Sequence, residues 1–247
     1  MLMTMEMWWL GFYMDPLRLA IYILLNIPML VGLSYFAGFE ATTNRLEDVL
    51  DAFTAYAVGF TAAALVLLLF AIIGPGMSAD EIIGKIAIQA VPASIGAMLA
   101  RSQFGERQPE EEEKRRTHDH EGLFLTAVGA LYLSSTVAPT EELALLAFKM
   151  TPWHIIALLL FSLAVTHAFV LATIAEGKAP TPPGDMPKWT VFFHFTIVGY
   201  TVALVVSLYI LWTFGRTDGL TGSQVIEQTV VLGFPAALGA GAARLIL

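Results

Sequence analysis

Several side chains able to carry or bind charge stand inside runs of apolar residues: Lys85, Gln89, His167, His194, Glu227 and Gln228. Ionisable groups at membrane depth are costly, so they read first as functional groups. His167 is the deepest, within the run Trp153–Ile174, and an imidazole changes charge near neutral pH. The bland alternative is a neutral ring donating to a backbone carbonyl. His194 stands inside Trp189–Phe214, Glu227 and Gln228 lie near the start of Gln224–Arg244, and Lys85 and Gln89 lie in Ile82–Arg101. Lys85 could pair with Glu227, although Glu81, one helical turn back, is the simpler partner. Such a set could hand a proton or a small cation from one polar position to the next.

Other chemistry finds little support. There is no cysteine, so disulfides, thiol nucleophiles and cysteine metal sites are excluded. His118-Asp119-His120 is one short cluster, too little to assign a metal. Thr196-Ile197-Val198-Gly199-Tyr200 superficially resembles the carbonyl filter of potassium channels, but that filter needs a non-helical loop. Here the string lies in a long apolar run, and Gly199 reads as a helix-packing residue. The last run has no lysine for a retinal Schiff base. No Gly-rich phosphate loop, zinc-protease motif or nucleophile elbow is present. The expectation is therefore no enzyme, no cofactor and no nucleic-acid partner.

The elements that must position these groups are apolar helices. Of 247 residues, 57% are hydrophobic and only 14% charged, with a mean hydropathy of +0.70. Ala62–Ile73, Ile155–Val165 and Val202–Trp212 contain no ionisable side chain, and each sits within a span of the roughly 20 residues that cross a bilayer. Seven spans are expected: Leu17–Phe39, Leu46–Ile73, Ile82–Arg101, a short Gly122–Val137, Trp153–Ile174, Trp189–Phe214 and Gln224–Arg244. Residues 4–14 are too short to cross, and their two Trp and one Tyr suit the interface; Pro139–Met150 is another short amphipathic piece. Ser78 with Glu81 reads as a capping box opening the third span. No cleavable signal peptide is evident.

The spans repeat. Val91-Pro92-Ala93-Ser94-Ile95-Gly96 through Arg101 returns as Phe234-Pro235-Ala236-Ala237-Leu238-Gly239 through Arg244. Pro16 matches Pro152, Glu40 matches Glu176, Glu6 matches Glu142, and Val58-Gly59-Phe60-Thr61 matches Val198-Gly199-Tyr200-Thr201. The chain thus reads as a tandem, parallel duplication. Residues 1–101 form a first membrane repeat whose leading span is missing, 102–120 a charged linker, and 121–247 a second repeat. Pro92 and Pro235 are expected to kink their helices, and Gly96 and Gly239 to let them approach closely, so the third and seventh spans are placed together near the repeat axis. Glu6, Glu142, Glu40 and Glu176 stand at matched span ends, as entrance carboxylates or, more simply, as solvated interfacial ones. Lysine and arginine favour one side. Arg45, Arg101, Arg107, Lys114, Arg115, Arg116, Lys178, Lys188 and Arg244 fall there, against Arg18, Lys85, Lys149 and Arg216 opposite. That puts the linker in the cytoplasm and the N-terminus outside.

Met3-Thr4-Met5-Glu6-Met7-Trp8-Trp9-Leu10-Gly11-Phe12-Tyr13-Met14 and Ala90-Val91-Pro92-Ala93-Ser94-Ile95-Gly96-Ala97-Met98-Leu99-Ala100-Arg101 resemble a bacterial family described as "putative integral membrane protein". The resemblance covers nearly the whole chain. It implies the architecture, and residues ahead of this N-terminus that would supply the missing span. It brings no site residues.

The expectation is an all-α polytopic membrane bundle in a bacterial inner membrane. It would carry a small inorganic ion, a proton or small cation, between the two repeats; a homo-oligomer is compatible with this. The rival reading is a non-transporting subunit or sensor of a larger complex. A membrane enzyme acting on lipid or quinone ranks third.

Overall fold

A backbone inside a bilayer must satisfy its own hydrogen bonds, which for apolar runs of this length means helices. The computed structural model describes residues 6–37, 45–104, 119–138, 140–176 and 188–246, and every regular element among them is helical. In order they are α1 (Glu6–Tyr13), α2 (Pro16–Ala37), α3 (Arg45–Leu69), α4 (Ala79–Phe104), α5 (Asp119–Val137), α6 (Glu141–Lys149), α7 (Pro152–Ala175), α8 (Lys188–Val191), a π-helical turn (Phe192–Ile197), α9 (Val198–Thr213) and α10 (Gly222–Ile246). Six helices are long and apolar enough to cross a membrane: α2, α3, α4, α7, α10 and the composite Trp189–Thr213. The expected short fourth span, α5, meets that test only together with α6, from which it bends by 93°.

The order short helix, span, span, proline-bearing span occurs twice, as α1–α4 and α6–α10. The local starts also recur. Asp15 Oδ1 accepts from the backbone N–H of Leu17 and Arg18 at 3.0 Å, ahead of Pro16 as the first helical residue. Thr151 stands in the same place before Pro152. The capping box at Ser78 forms through the Glu81 N–H donating to Ser78 Oγ at 3.2 Å. At the matched Thr221 the reciprocal arm is made, the Thr221 N–H donating to Gln224 Oε1 at 2.9 Å.

The residues divide into two compact units. One holds residues 1–106 with Pro139–Glu141 and Trp212–Arg216. Its core is a set of close helix crossings. At Gly59 of α3 an added Cβ would stand 2.8 Å from Ala90 O and Ser94 N of α4. Gly11 of α1 and Gly84 of α4 cross equally tightly, so only glycine fits at either place. α3 ends in a Schellman motif: the Ile72 N–H donates to Leu67 O at 2.9 Å and the Ala71 N–H to Leu68 O at 3.0 Å. The left-handed position is Ala71, φ 54°, where glycine is usual. Ile72 and Ile73 then fold back on Leu67, covered by Met77, Ile82 and Ile86. Arg18 of α2 lies 5.1 Å over the Trp212 ring and donates to the Trp212 carbonyl at 3.0 Å. Tyr22 meets Phe214 edge-on.

The other unit holds Arg107–Ala138, Glu142–Leu211 and Thr217–Leu247. α10 is its centre. Gly239 packs backbone to backbone on Gly129 of α5, and Gly241 receives the Phe169 ring of α7. Tyr200 and Ala203 of α9 close on Ala236, Ala237, Ala240 and Ala130. The small-residue face at Gly239, expected to meet the third span, has α5 as its neighbour. Three interior prolines are carried without a break: α2 runs through Pro28, α4 through Pro92 and α10 through Pro235.

Candidate functional site: polar layers inside the helices

The deep histidine is held by a hydroxyl from the next span. His167 Nδ1 lies 2.9 Å from Thr196 Oγ1, and the imidazole meets the Phe192 ring edge-on at 5.3 Å. Phe192 and Thr196 both belong to the π turn, so one turn of wide helix supplies both contacts. π turns inside α-helices concentrate at functional sites. Thr196 is buried and His167 half-buried. The string from Thr196 to Tyr200 is helical throughout, so its carbonyls form no filter loop. His194, on the same turn, points to the exposed side of its helix, and the structure does not bring it to His167.

Around this pair α7 presents a row of hydroxyls. Ser162 donates to Leu158 O and Thr166 to Ser162 O, both at 2.8 Å, so their protons are spent within their own helix. The buried Tyr200 hydroxyl of α9 lies beside Ser162. On α10, Gln228 is buried with Oε1 unpartnered, while Glu227 beside it is half-buried.

The first unit has its own layer at the matched register, where Asn26 corresponds to Ser162 and Tyr56 to Thr196. Asn26 Nδ2 donates to Ser94 Oγ at 2.9 Å, and Ser94 Oγ donates to Val91 O at 2.8 Å. Tyr56 reaches Ile23 O at 3.4 Å and lies beside the Asn26 amide. Asn26 and Ser94 lie 68 residues apart; Ser94 stands in the repeated proline stretch, whereas Asn26 signalled only as a polar residue within an apolar run.

Lys85 is held by groups close to it in sequence. Its ammonium donates to Glu81 Oε1 at 2.6 Å and to Ile72 O at 3.4 Å, with Met77 Sδ at 4.0 Å. The partner is the carboxylate one turn back, and the lysine pins the loop after α3 to α4. Gln89 is buried on the same helix.

The four matched carboxylates do not share an environment. Glu6 is only 5% exposed, and its Oε1 accepts the Glu141 N–H at 3.0 Å; this carboxylate caps α6 and is not a solvated interfacial group. Glu142 and Glu176 are exposed. Glu40 lies outside the described residues, as do the bulk of the linker and the His118-Asp119-His120 cluster as a whole; Gly96 is half-buried on α4. Among the described residues no three His, Cys, Asp or Glu side chains gather as metal ligands.

The family described as putative integral membrane protein (DUF2391) matches this chain over residues 1–247. The chain belongs to that family. With its six long apolar helices, it is a multi-pass integral membrane protein. No curated protein and no solved structure gives a significant match.

Proposed function

We propose that this family member passes a small ion, a proton or a small cation, across the membrane through the polar positions inside its spans. The observation that carries the reading is the His167–Thr196 pair: a titratable ring deep in one span, held by a buried hydroxyl on a π turn of the next. A neutral imidazole has one donor and one acceptor nitrogen, whereas its protonated form donates from both. Loading a proton therefore forces Thr196 Oγ1 to accept, and release lets the hydroxyl donate back. One geometry serves both states, which suits a group that loads and unloads. The buried Tyr200 hydroxyl and Gln228 amide offer further polar stations. Duplicated helical units with prolines inside their spans are a common transporter plan, and the recurring caps support descent by tandem duplication. In this reading the membrane is a bacterial inner membrane, the linker is cytoplasmic, the N-terminus is outside, and the protein catalyses no reaction.

The test is flux from purified protein in liposomes, followed for H⁺, Na⁺, K⁺ and divalent cations. His167→Ala should bring the flux to background, and Thr196→Val should lower it by about tenfold, the cost of one lost hydrogen bond. Unchanged flux in His167→Ala overturns the assignment. No flux of any ion, with stable co-purification of a second protein, replaces it with the subunit or sensor reading.

A further inference from the structure

Position by position, α4 and α10 differ in burial along one stripe. Pro92 matches Pro235 and Arg101 matches Arg244, so Ala93, Gly96, Ala97 and Ala100 match Ala236, Gly239, Ala240 and Ala243. On α10 all four are buried. On α4, Ala93, Gly96 and Ala97 are only half-buried and Ala100 is exposed. Ser94, Ile95 and Met98, which lie between them in sequence, are buried, so α4 is well seated on its other side. The difference falls at spacings of three, four and seven residues, which is one face of a helix.

The second repeat shows what covers that face. Gly239 crosses Gly129 of α5 backbone to backbone, and a Cβ at Gly129 would stand 2.6 Å from Ala243 Cβ. Ala130 packs among Ala236, Ala237 and Ala240, and Gly122 lies against Arg244. Positions rise along α5 as they fall along α10, so the two helices are antiparallel. In lipid such a pair is held by close van der Waals contact, which small residues permit. In the first unit α1 and α3 cross α4 at Gly84 and at Ala90 to Ser94, and α2 reaches Ser94 through Asn26, leaving the stripe partly open. We infer that Ala93, Gly96, Ala97 and Ala100 form the seat for a partner's transmembrane helix. That helix is apolar, runs antiparallel to α4, and carries glycine or alanine where it crosses Gly96, as α5 does at Gly129. The seat uses no residue of the His167–Thr196 pair and does not rest on the ion reading.

The experiment uses a synthetic peptide of residues 119–137, the α5 sequence, added to purified full-length protein in detergent. The chain has no cysteine, so Asp80→Cys, at the exposed start of α4, takes a single acceptor dye. Energy transfer from a donor on the peptide should saturate at one peptide per chain. Antiparallel seating brings the peptide's C-terminus to Asp80, so a donor there should transfer more strongly than one at its N-terminus. Ala97→Leu should weaken binding about tenfold or more. Ala100→Leu, at an exposed position, should weaken it in the same direction should Ala97→Leu not fold. A peptide carrying Gly129→Leu should not bind, and Ile83→Ala, on α4 outside the stripe, should bind the original peptide as wild type does. No saturable transfer, equal affinity in wild type, Ala97→Leu and Ala100→Leu, or stronger transfer from the N-terminal donor overturns the seat. Disulfide-linked pairs of Ala97→Cys chains, formed in dilute vesicles without peptide, give the stripe to a second copy and overturn the partner helix.

Discussion

Lys85, a candidate for the ion pathway from its place in an apolar run, has the contacts of a structural residue. A lysine 2% exposed in a membrane span invites an ion-pathway reading. Its ammonium instead has a carboxylate, a carbonyl and a thioether around it, all contributed by α4 and the loop it pins. Lys85→Ala should destabilise the protein by about 2 kcal/mol, the worth of hydrogen bonds to a charged group, read as a lower melting temperature with flux per folded molecule unchanged. The pairing was legible because Glu81 and Lys85 are one turn apart in sequence. The burial of Glu6 was not, since the N–H it accepts lies 135 residues away. A carboxylate before two tryptophans has the composition of an interfacial group until that distant helix start is in place.

At the scale of helices, glycines at matched register do opposite work. A methyl group at Gly59 would meet α4 backbone at 2.8 Å, and backbone cannot step aside. At Gly199 the nearest atom, Thr166 Cγ2, is 4.0 Å away. Gly59→Ala should therefore cost about 1–3 kcal/mol as overpacking, while Gly199→Ala should fold like wild type; thermal unfolding of the two variants decides it. Ala71→Gly should act the other way. It relieves a left-handed alanine, gaining about 1 kcal/mol in the same assay. The spans themselves were readable from their apolar runs, and the capping box from Ser78 and Glu81. The π turn was not: Phe192-Phe193-His194-Phe195-Thr196-Ile197 has no spelling that separates it from ordinary helix, and only the seating of Thr196 against His167 marks it. The fourth span was the weakest expectation for a plain reason, being short and followed by a sharp bend.

For the whole molecule, the proposed topology rests on lysine and arginine alone, and the chain is well suited to testing it. With no cysteine present, single substitutions report their own exposure. A membrane-impermeant maleimide should label Ser223→Cys in intact cells and Ser102→Cys only after lysis. The reverse pattern would invert the topology while leaving the helical fold untouched.

The first compact unit is assembled from three separate stretches, two of them supplied by later parts of the chain. Arg18 finds its aromatic platform at Trp212, and the Glu6 carboxylate finds its N–H at Glu141. A gene severed in the linker would thus yield an N-terminal fragment that lacks Trp212 and Glu141, two contacts of its first unit. That fragment should be degraded when made alone and rescued when the C-terminal fragment is made in the same cell. A few residues from late in the chain thus complete the unit that its beginning starts.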